Sequence, residues 1–464
     1  MVKVIVVGGG SAGCGAAEGA VKAGAEVTLL ERTDLLLGCA LMCRWMRNAG
    51  RFVLCEEAVA MGGDSLIHAF DSLNIEKNPE ICDRYFKATF PSKHAEKMGV
   101  GYLYETGLAE PTIRQLLKNL GVQIRFESRA VNVEKEDNRI TAVVLDSGEK
   151  LRADAFVDTT GTAGGWANCV KHGNGCVMCP MFRCPTFGDR VSIATKAGAR
   201  EITKRRRDGT PGTMMYPVAF YLGSLSAELQ EKINEDGLAF INIKGIVDPR
   251  EWESIAYSMR GRYGYDTETG EPIDPETAFP NPYTWEQLTL PILPSTGMVL
   301  VAGDRIFSYI SYEKLRQIPG FEHAIKVWPQ GSKGNFVNGL SITPVENSLK
   351  AIGLENCFVA GEKIGLMGMG EGMGLGLLAG HNAVRSALGK DMLVLPQKLI
   401  TGEAIHWAIE KMETEEGLTT WYDSHGGLFL TNAMKKGLYI TDVDEIHAKV
   451  KAVGLSGIYT KKLV

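Results

Sequence analysis

No run of roughly 18 uncharged apolar residues, the least that spans a bilayer as a helix, occurs anywhere in the 464-residue chain. The start, MVKVIVVGGG, has an apolar run too short for a secretory leader and passes straight into a folded motif, so a cytoplasmic protein with no membrane partner is expected. An excess of one charge is also missing. Against 50 Lys and Arg stand 55 Asp and Glu, a formal net charge of −5, which supplies no long-range attraction for nucleic acid. The basic run Lys204-Arg205-Arg206-Arg207 reads first as a solvated face. Histidine is sparse, at 8 residues, and none forms a His-x3-His or His-Glu-x-x-His pattern, which removes the common helical zinc motifs.

Glycine, in contrast, is abundant. Its 54 residues exceed the average share of about 7%, and they crowd into 8–15 and 361–380, where backbone must bend sharply or approach something closely. The length exceeds what one hydrophobic core accommodates, so two packed domains or one large domain with an insertion is the natural organisation.

Residues 2–7 read as a buried parallel strand, and Gly8-Gly9-Gly10-Ser11-Ala12-Gly13 opens an alanine-rich helix, Cys14 to Ala23, that ends at Gly24. A second apolar strand, Glu26 to Leu30, closes on Glu31. This is a βαβ dinucleotide fingerprint in its required context. Gly8 permits the tight turn, Gly10 lets backbone amides approach a pyrophosphate, Gly13 allows helix to pack on strand, and Glu31 accepts hydrogen bonds from a ribose. An acid at that position disfavours a 2′-phosphate. No second such unit lies mid-chain, which argues against a dedicated NAD(P)H domain.

Two further segments bear on which dinucleotide is bound. Residues 122–161 alternate as a small β-meander, with a hairpin around Glu136-Asp137-Asn138, and return to a strand ending Asp158-Thr159-Thr160-Gly161. Cys357-Phe358-Val359-Ala360-Gly361-Glu362 is a strand ending on Gly-acid, followed by a glycine-rich turn and a helix, Leu375 to Leu388. Both resemble the FAD-binding domains of the glutathione-reductase superfamily. There the acid meets the ribityl chain, and the N-terminus of the helix faces the flavin pyrimidine.

The stretch from Gly334 through Asn338-Gly339-Leu340-Ser341-Ile342-Thr343-Pro344, with AGEKIGLMGMGEGMGLGLLAGHNAVRSA from Ala360 to Ala387, resembles the GidA-related flavoproteins. That family includes glucose-inhibited division protein A and the folate-dependent tRNA uracil-5-methyltransferase. The resemblance implies FAD as cofactor. It implies substrate less well: Glu362 stands where the tRNA enzymes carry Gln, and a Gly-Cys-X-Pro-Ile-Glu segment and a long helical tail are absent. The expected fold is α/β, a Rossmann-like FAD-binding domain of glutathione-reductase type with an inserted α+β substrate domain. The expected divisions are 1–165 and 331–395 for the FAD-binding domain, 166–330 for the insert, and 396–464 for a C-terminal helical extension. Expected cofactor contacts are Gly8, Gly10, Ser11, Ala12, Gly13, Glu31, Arg32, Gly38, Ala130, Thr160, Gly161, Gly361, Glu362, Gly370, Gly372 and Gly374.

Of the 10 cysteines, Cys169, Cys176, Cys179 and Cys184 lie close together, with Pro180 and Pro185 following the last two. Thiolates so grouped can hold a 4Fe–4S cluster or a zinc ion. A cluster beside FAD would relay single electrons to a carrier protein. The alternatives are a redox pair, Cys176 and Cys179, or buried thiols without chemistry. Cys39 and Cys43 follow Leu37-Gly38 where related loops pass the flavin ring, so either is a candidate catalytic thiol. Arg44 and Arg47 are candidates to meet an anionic substrate, and His172 and His381 read as packed or solvent-facing. The function expected is FAD-dependent oxidoreduction of a small molecule or of an electron-carrier partner, from a chain often dimeric at this size. The alternatives are a flavin-linked thiol/disulfide oxidoreductase and a folate- and FAD-dependent tRNA-modifying enzyme.

Overall fold

The structure, a computed structural model, describes residues 1–38, 40–43, 45–46, 51–73, 102–104, 106–161, 191–203, 218–236, 238–242, 287–293, 298–300, 312–329, 341–366, 368–415, 418 and 428–464. Strand β1 (Lys3–Val7) is apolar on both faces after its first residue and buried there, as an interior parallel strand must be. Helix α1 (Ser11–Lys22) carries the chain back to β2 (Glu26–Leu30), and α2 (Thr106–Asn119) leads to β3 (Gln123–Arg125). An antiparallel meander follows, β4 (Ala130–Glu136), β5 (Arg139–Leu145) and β6 (Lys150–Arg152), before β7 (Ala155–Asp158) re-enters the main sheet.

After helix α3 (Ile193–Ala197) comes the short strand β8 (Ile202–Thr203). The antiparallel strands β9 (Val218–Tyr221), β10 (Leu238–Asn242), β11 (Gln287–Leu293), β12 (Met298–Leu300) and β13 (Lys326–Pro329) form a separate sheet in the order β10-β11-β12-β9-β13. Phe220 and Phe321 meet edge to face beside it, 5.2 Å apart. Strand β14 (Ser341–Ile342) returns to pair with β8, and β15 (Cys357–Val359) completes the parallel sheet in the order β15-β7-β1-β2-β3.

A 3-10 turn (Gly361–Ile364) then leads to α4 (Met369–Ala387). Helix α4 starts six residues earlier than the sequence pattern predicts, inside what reads as a glycine-rich turn. The reason is its partner. A Cβ at Gly376 would lie 2.1 Å from the Ala12 carbonyl oxygen, and one at Gly380 2.0 Å from that of Ala16. In return, Gly15 and Gly19 of α1 would meet the carbonyls of Met373 and Leu377 at 2.4 and 2.3 Å. The two helices touch backbone to backbone, which only glycine permits. That packing outweighs the cost of about 1 kcal/mol that each glycine imposes on a helix.

Helices α5 (Ile400–Lys411), α6 (Leu428–Lys435) and α7 (Val443–Ala452) close the chain. The buried Glu57 carboxylate accepts from the Ile400 and Thr401 amides, both at 2.9 Å, and so fixes the start of α5. Among the described residues no helix is long and apolar enough to cross a membrane.

Candidate functional site

The C-terminal ends of β1, β2, β7 and β15 open on one cleft, roofed by the starts of α1 and α4. It encloses about 1070 Å³ of space, part of it open to solvent.

The turn after β1 is held from below. Gly8 adopts φ +105°, and a Cβ there would lie 2.6 Å from the Thr159 carbonyl oxygen at the end of β7. The Thr159 hydroxyl lies 2.8 Å from the carbonyls of both Val7 and Gly8. Gly10 precedes α1 with an extended backbone, and a Cβ there would meet none of the described residues within 4 Å. Among the described residues no side chain caps α1, and no acid sits in its first turn, so its leading amides face the open space. This is a cradle for an anionic group, with the missing Gly10 side chain leaving room for it.

Glu31, at the end of β2, is fixed by neighbours: Oε2 accepts from the Gly9 amide at 2.8 Å, and Oε1 from the Thr33 amide at 2.9 Å and its hydroxyl at 3.0 Å. The loop beyond it is anchored from α2, where Glu110 accepts from the Leu36 amide at 3.2 Å. Arg114 bonds Glu110 at 2.7 Å and the Asp34 carbonyl at 2.9 Å while lying over the Phe126 ring. Thr160 is set by buried Asp158, whose Oδ1 accepts from its amide and hydroxyl at 3.1 and 2.7 Å. On the far side Gly361, at φ +77°, brings its turn against Ala12, where a Cβ would lie 2.8 Å from that of Ala12. The start of α4 differs from that of α1. Glu371 in its first turn folds back on Gly368 and supplies this helix end with its own carboxylate.

Gly8, Gly10, Ser11, Ala12, Glu31, Arg32, Gly38, Ala130, Thr160, Gly161, Gly361, Glu362 and Gly372 all line this cleft. Three residues of the expected set face elsewhere. A Cβ at Gly13 would lie 1.7 Å from the Gly8 carbonyl oxygen, Gly370 offers its carbonyl to the Cys55 thiol at 3.2 Å, and Gly374 lies against Leu54. Thr33, Leu37, Ser128, Arg129, Val191 and Gly368 also line the cleft and were not anticipated. Ser128 and Arg129 could have been found from their place beside Ala130. Val191 carries no signal in the sequence.

Cys39, Cys169, Cys176, Cys179 and Cys184 lie outside the described residues, as do Arg44, Arg47, His172 and the Lys204–Arg207 run. Cys43 is the last residue of a short helix, Ala40–Cys43. Among the described residues no group of three or more His, Cys, Asp or Glu could hold a metal ion. Cys14, Cys55 and Cys357 are buried free thiols, and burial pushes each well above the usual thiol range. His381 is fully buried and faces the Tyr459 ring at 5.3 Å, so it is a packed residue.

Comparison with known proteins agrees with this geometry. Residues 3–164 match the family model described as FAD dependent oxidoreductase, and residues 308–391 match that of glucose inhibited division protein A. A structure of Aquifex aeolicus GidA in its form II crystal aligns with 97% of this chain and 75% of its own, at 16% identity and a TM-score of 0.59. The form I crystal gives 97%, 78%, 16% and 0.55. At such identity the likeness speaks for the fold.

Proposed function

The chain belongs to the GidA-related FAD-dependent oxidoreductases, and from that premise we propose how its residues serve the flavin. The leading amides of α1, at Ser11 and Ala12, hold the pyrophosphate. Glu31 accepts from the adenosine ribose while Arg32 and Ala130 flank the adenosine, and Gly361 and Glu362 position the ribityl chain. When bound, FAD supplies hydride acceptance in two-electron steps and exchange in single ones. The protein's part is to orient it, to place α1's positive end against its charge and to keep water from its reactive face. The observation that carries this reading is the convergence of the two glycine-rich segments, far apart in sequence, on one cleft with a helix start that no described side chain caps.

The substrate class we infer is a small molecule or an electron-carrier protein. Cys169, Cys176, Cys179 and Cys184 are the residues that would hold a 4Fe–4S cluster, which supplies one-electron exchange with such a carrier. The test is an absorption spectrum with iron and acid-labile sulfide analysis on protein purified without oxygen. FAD bands with about four irons per chain, the content of one cubane cluster, are expected. FAD bands without iron would remove the cluster and leave the thiol readings of Cys43 and of Cys176 with Cys179. Salt-sensitive tRNA binding in the same preparation would shift the substrate to nucleic acid.

A further inference from the structure

Lys363 follows Glu362 directly, yet its side chain turns away from solvent altogether. Its Nζ lies 3.2 Å from Oε2 of Glu201, and both side chains are 0% exposed. A buried ion pair of this kind is costly to desolvate and weak evidence of a purely stabilising role. This one is also incompletely satisfied, since Glu201 Oε1 and the buried Thr343 Oγ1 have no hydrogen-bond partner among the described residues.

The topology explains how the three groups meet. Strands β8 and β14 pair antiparallel with Ile202 opposite Ile342, which places Glu201 and Thr343 in the next cross-strand position. The Thr343 amide donates to the Lys363 carbonyl at 2.7 Å, fastening the Gly361–Ile364 turn to this ribbon. From Glu201 the polar contacts run to the other lip of the cleft. The Thr195 hydroxyl lies 2.8 Å from Glu201 Oε2 and 3.1 Å from Ser192 Oγ. Ser192 donates to Asp158 at 2.6 Å, and Asp158 holds Thr160. Both strand-end turns that border the cleft are thus tied to one buried pair. Its charge is felt nearby: the Cys357 thiol, pushed up by burial and by Asp158, is drawn the other way by Lys363.

We propose that Lys363 and Glu201 are positioning residues for the flavin, a buried charge pair that sets the Glu362 turn and the potential at the ribityl side of the cleft. This rests on the FAD reading given above. Inside the protein a single charge acts over a longer distance than in water, so each partner has a signed effect. Lys363→Met removes a positive charge and lowers the midpoint potential of bound FAD, and Glu201→Gln removes a negative charge and raises it.

The test measures FAD affinity by fluorescence titration, midpoint potential by dye equilibration and melting of the apo-protein. The chains compared are the full-length wild type, Lys363→Met, Lys363→Arg, Glu201→Gln and the double variant Lys363→Met/Glu201→Gln. The double variant strands no charge and keeps the comparison open should Lys363→Met fold poorly. Expected are opposite potential shifts in Lys363→Met and Glu201→Gln, about tenfold weaker FAD binding in Lys363→Met, and recovery in Lys363→Arg and in the double variant. Potentials that do not move, or that move the same way in both single variants, overturn the proposal and leave the FAD reading standing. A wild-type chain that takes up no FAD overturns both.

Discussion

Two glycines of one motif illustrate how differently single residues contribute to the site. Gly10 has room for a side chain in the cleft, whereas Gly13 is pressed against the Gly8 carbonyl. Gly10→Ala is therefore expected to keep the melting temperature of the apo-protein while weakening FAD binding about tenfold or more, by filling space the pyrophosphate needs. Gly13→Ala is expected to lower stability by ~1–3 kcal/mol through overpacking, and melting curves with FAD titrations separate the two. His381 behaves in the opposite way to a site residue. Burial, with Arg385 nearby, pushes its ring down to about 4 from an ordinary 6.5. The unfolded chain binds the proton first as pH falls. The stability due to the neutral ring is thus present above about pH 6.5 and is lost as pH drops towards 4, by up to ~3 kcal/mol. His381→Phe, which keeps a ring against Tyr459, should flatten the pH dependence of urea unfolding over that window; an unchanged slope would place its origin elsewhere.

At the scale of elements, the apolar strands were legible because their signal is local. The Glu26–Leu30 strand and the Cys357–Val359 strand stand where the runs of Val, Leu and Phe predict them. The start of α4 was not legible, because glycine is a poor helix former and what reverses its effect is a partner helix several hundred residues away in sequence. The same logic gives a sharp expectation for that interface. Gly380→Ala adds a methyl group where the Ala16 carbonyl already stands. The variant should lose ~1–3 kcal/mol, even though alanine is the better helix former by about 1 kcal/mol. A rise in melting temperature would mean that the helices are not in backbone contact. The lining of the cleft divides in the same way. Residues inside a motif, such as Glu31 or Glu362, were found, while Thr33 and Val191 were missed because their place depends on loops whose path no periodicity encodes.

For the whole molecule, the C-terminal segment joins the parts of the site from behind. Helices α1 and α4 present their N-terminal ends to the cleft, and the last residues of the chain grip both helices at the other end. The Leu463 amide donates to the Ala23 carbonyl just past α1 at 2.9 Å, the Tyr459 amide donates to Met61 at 2.8 Å, and the buried Tyr459 ring stands edge to face against His381 of α4. Gly62, at φ +90°, has no room for a side chain because a Cβ there would lie 2.5 Å from a Thr460 methyl group, so tail and body are mutually fitted. Tyr459→Ala should therefore cost ~3–5 kcal/mol, the range for emptying a large aromatic site. It should also weaken FAD binding, although the residue lines no part of the cleft, because the α1–α4 pair loses its brace. Tyr459→Phe, which keeps the ring, should retain both properties. Loss of stability in Tyr459→Ala with FAD affinity unchanged would show that the helix pair holds the cleft without support from the tail.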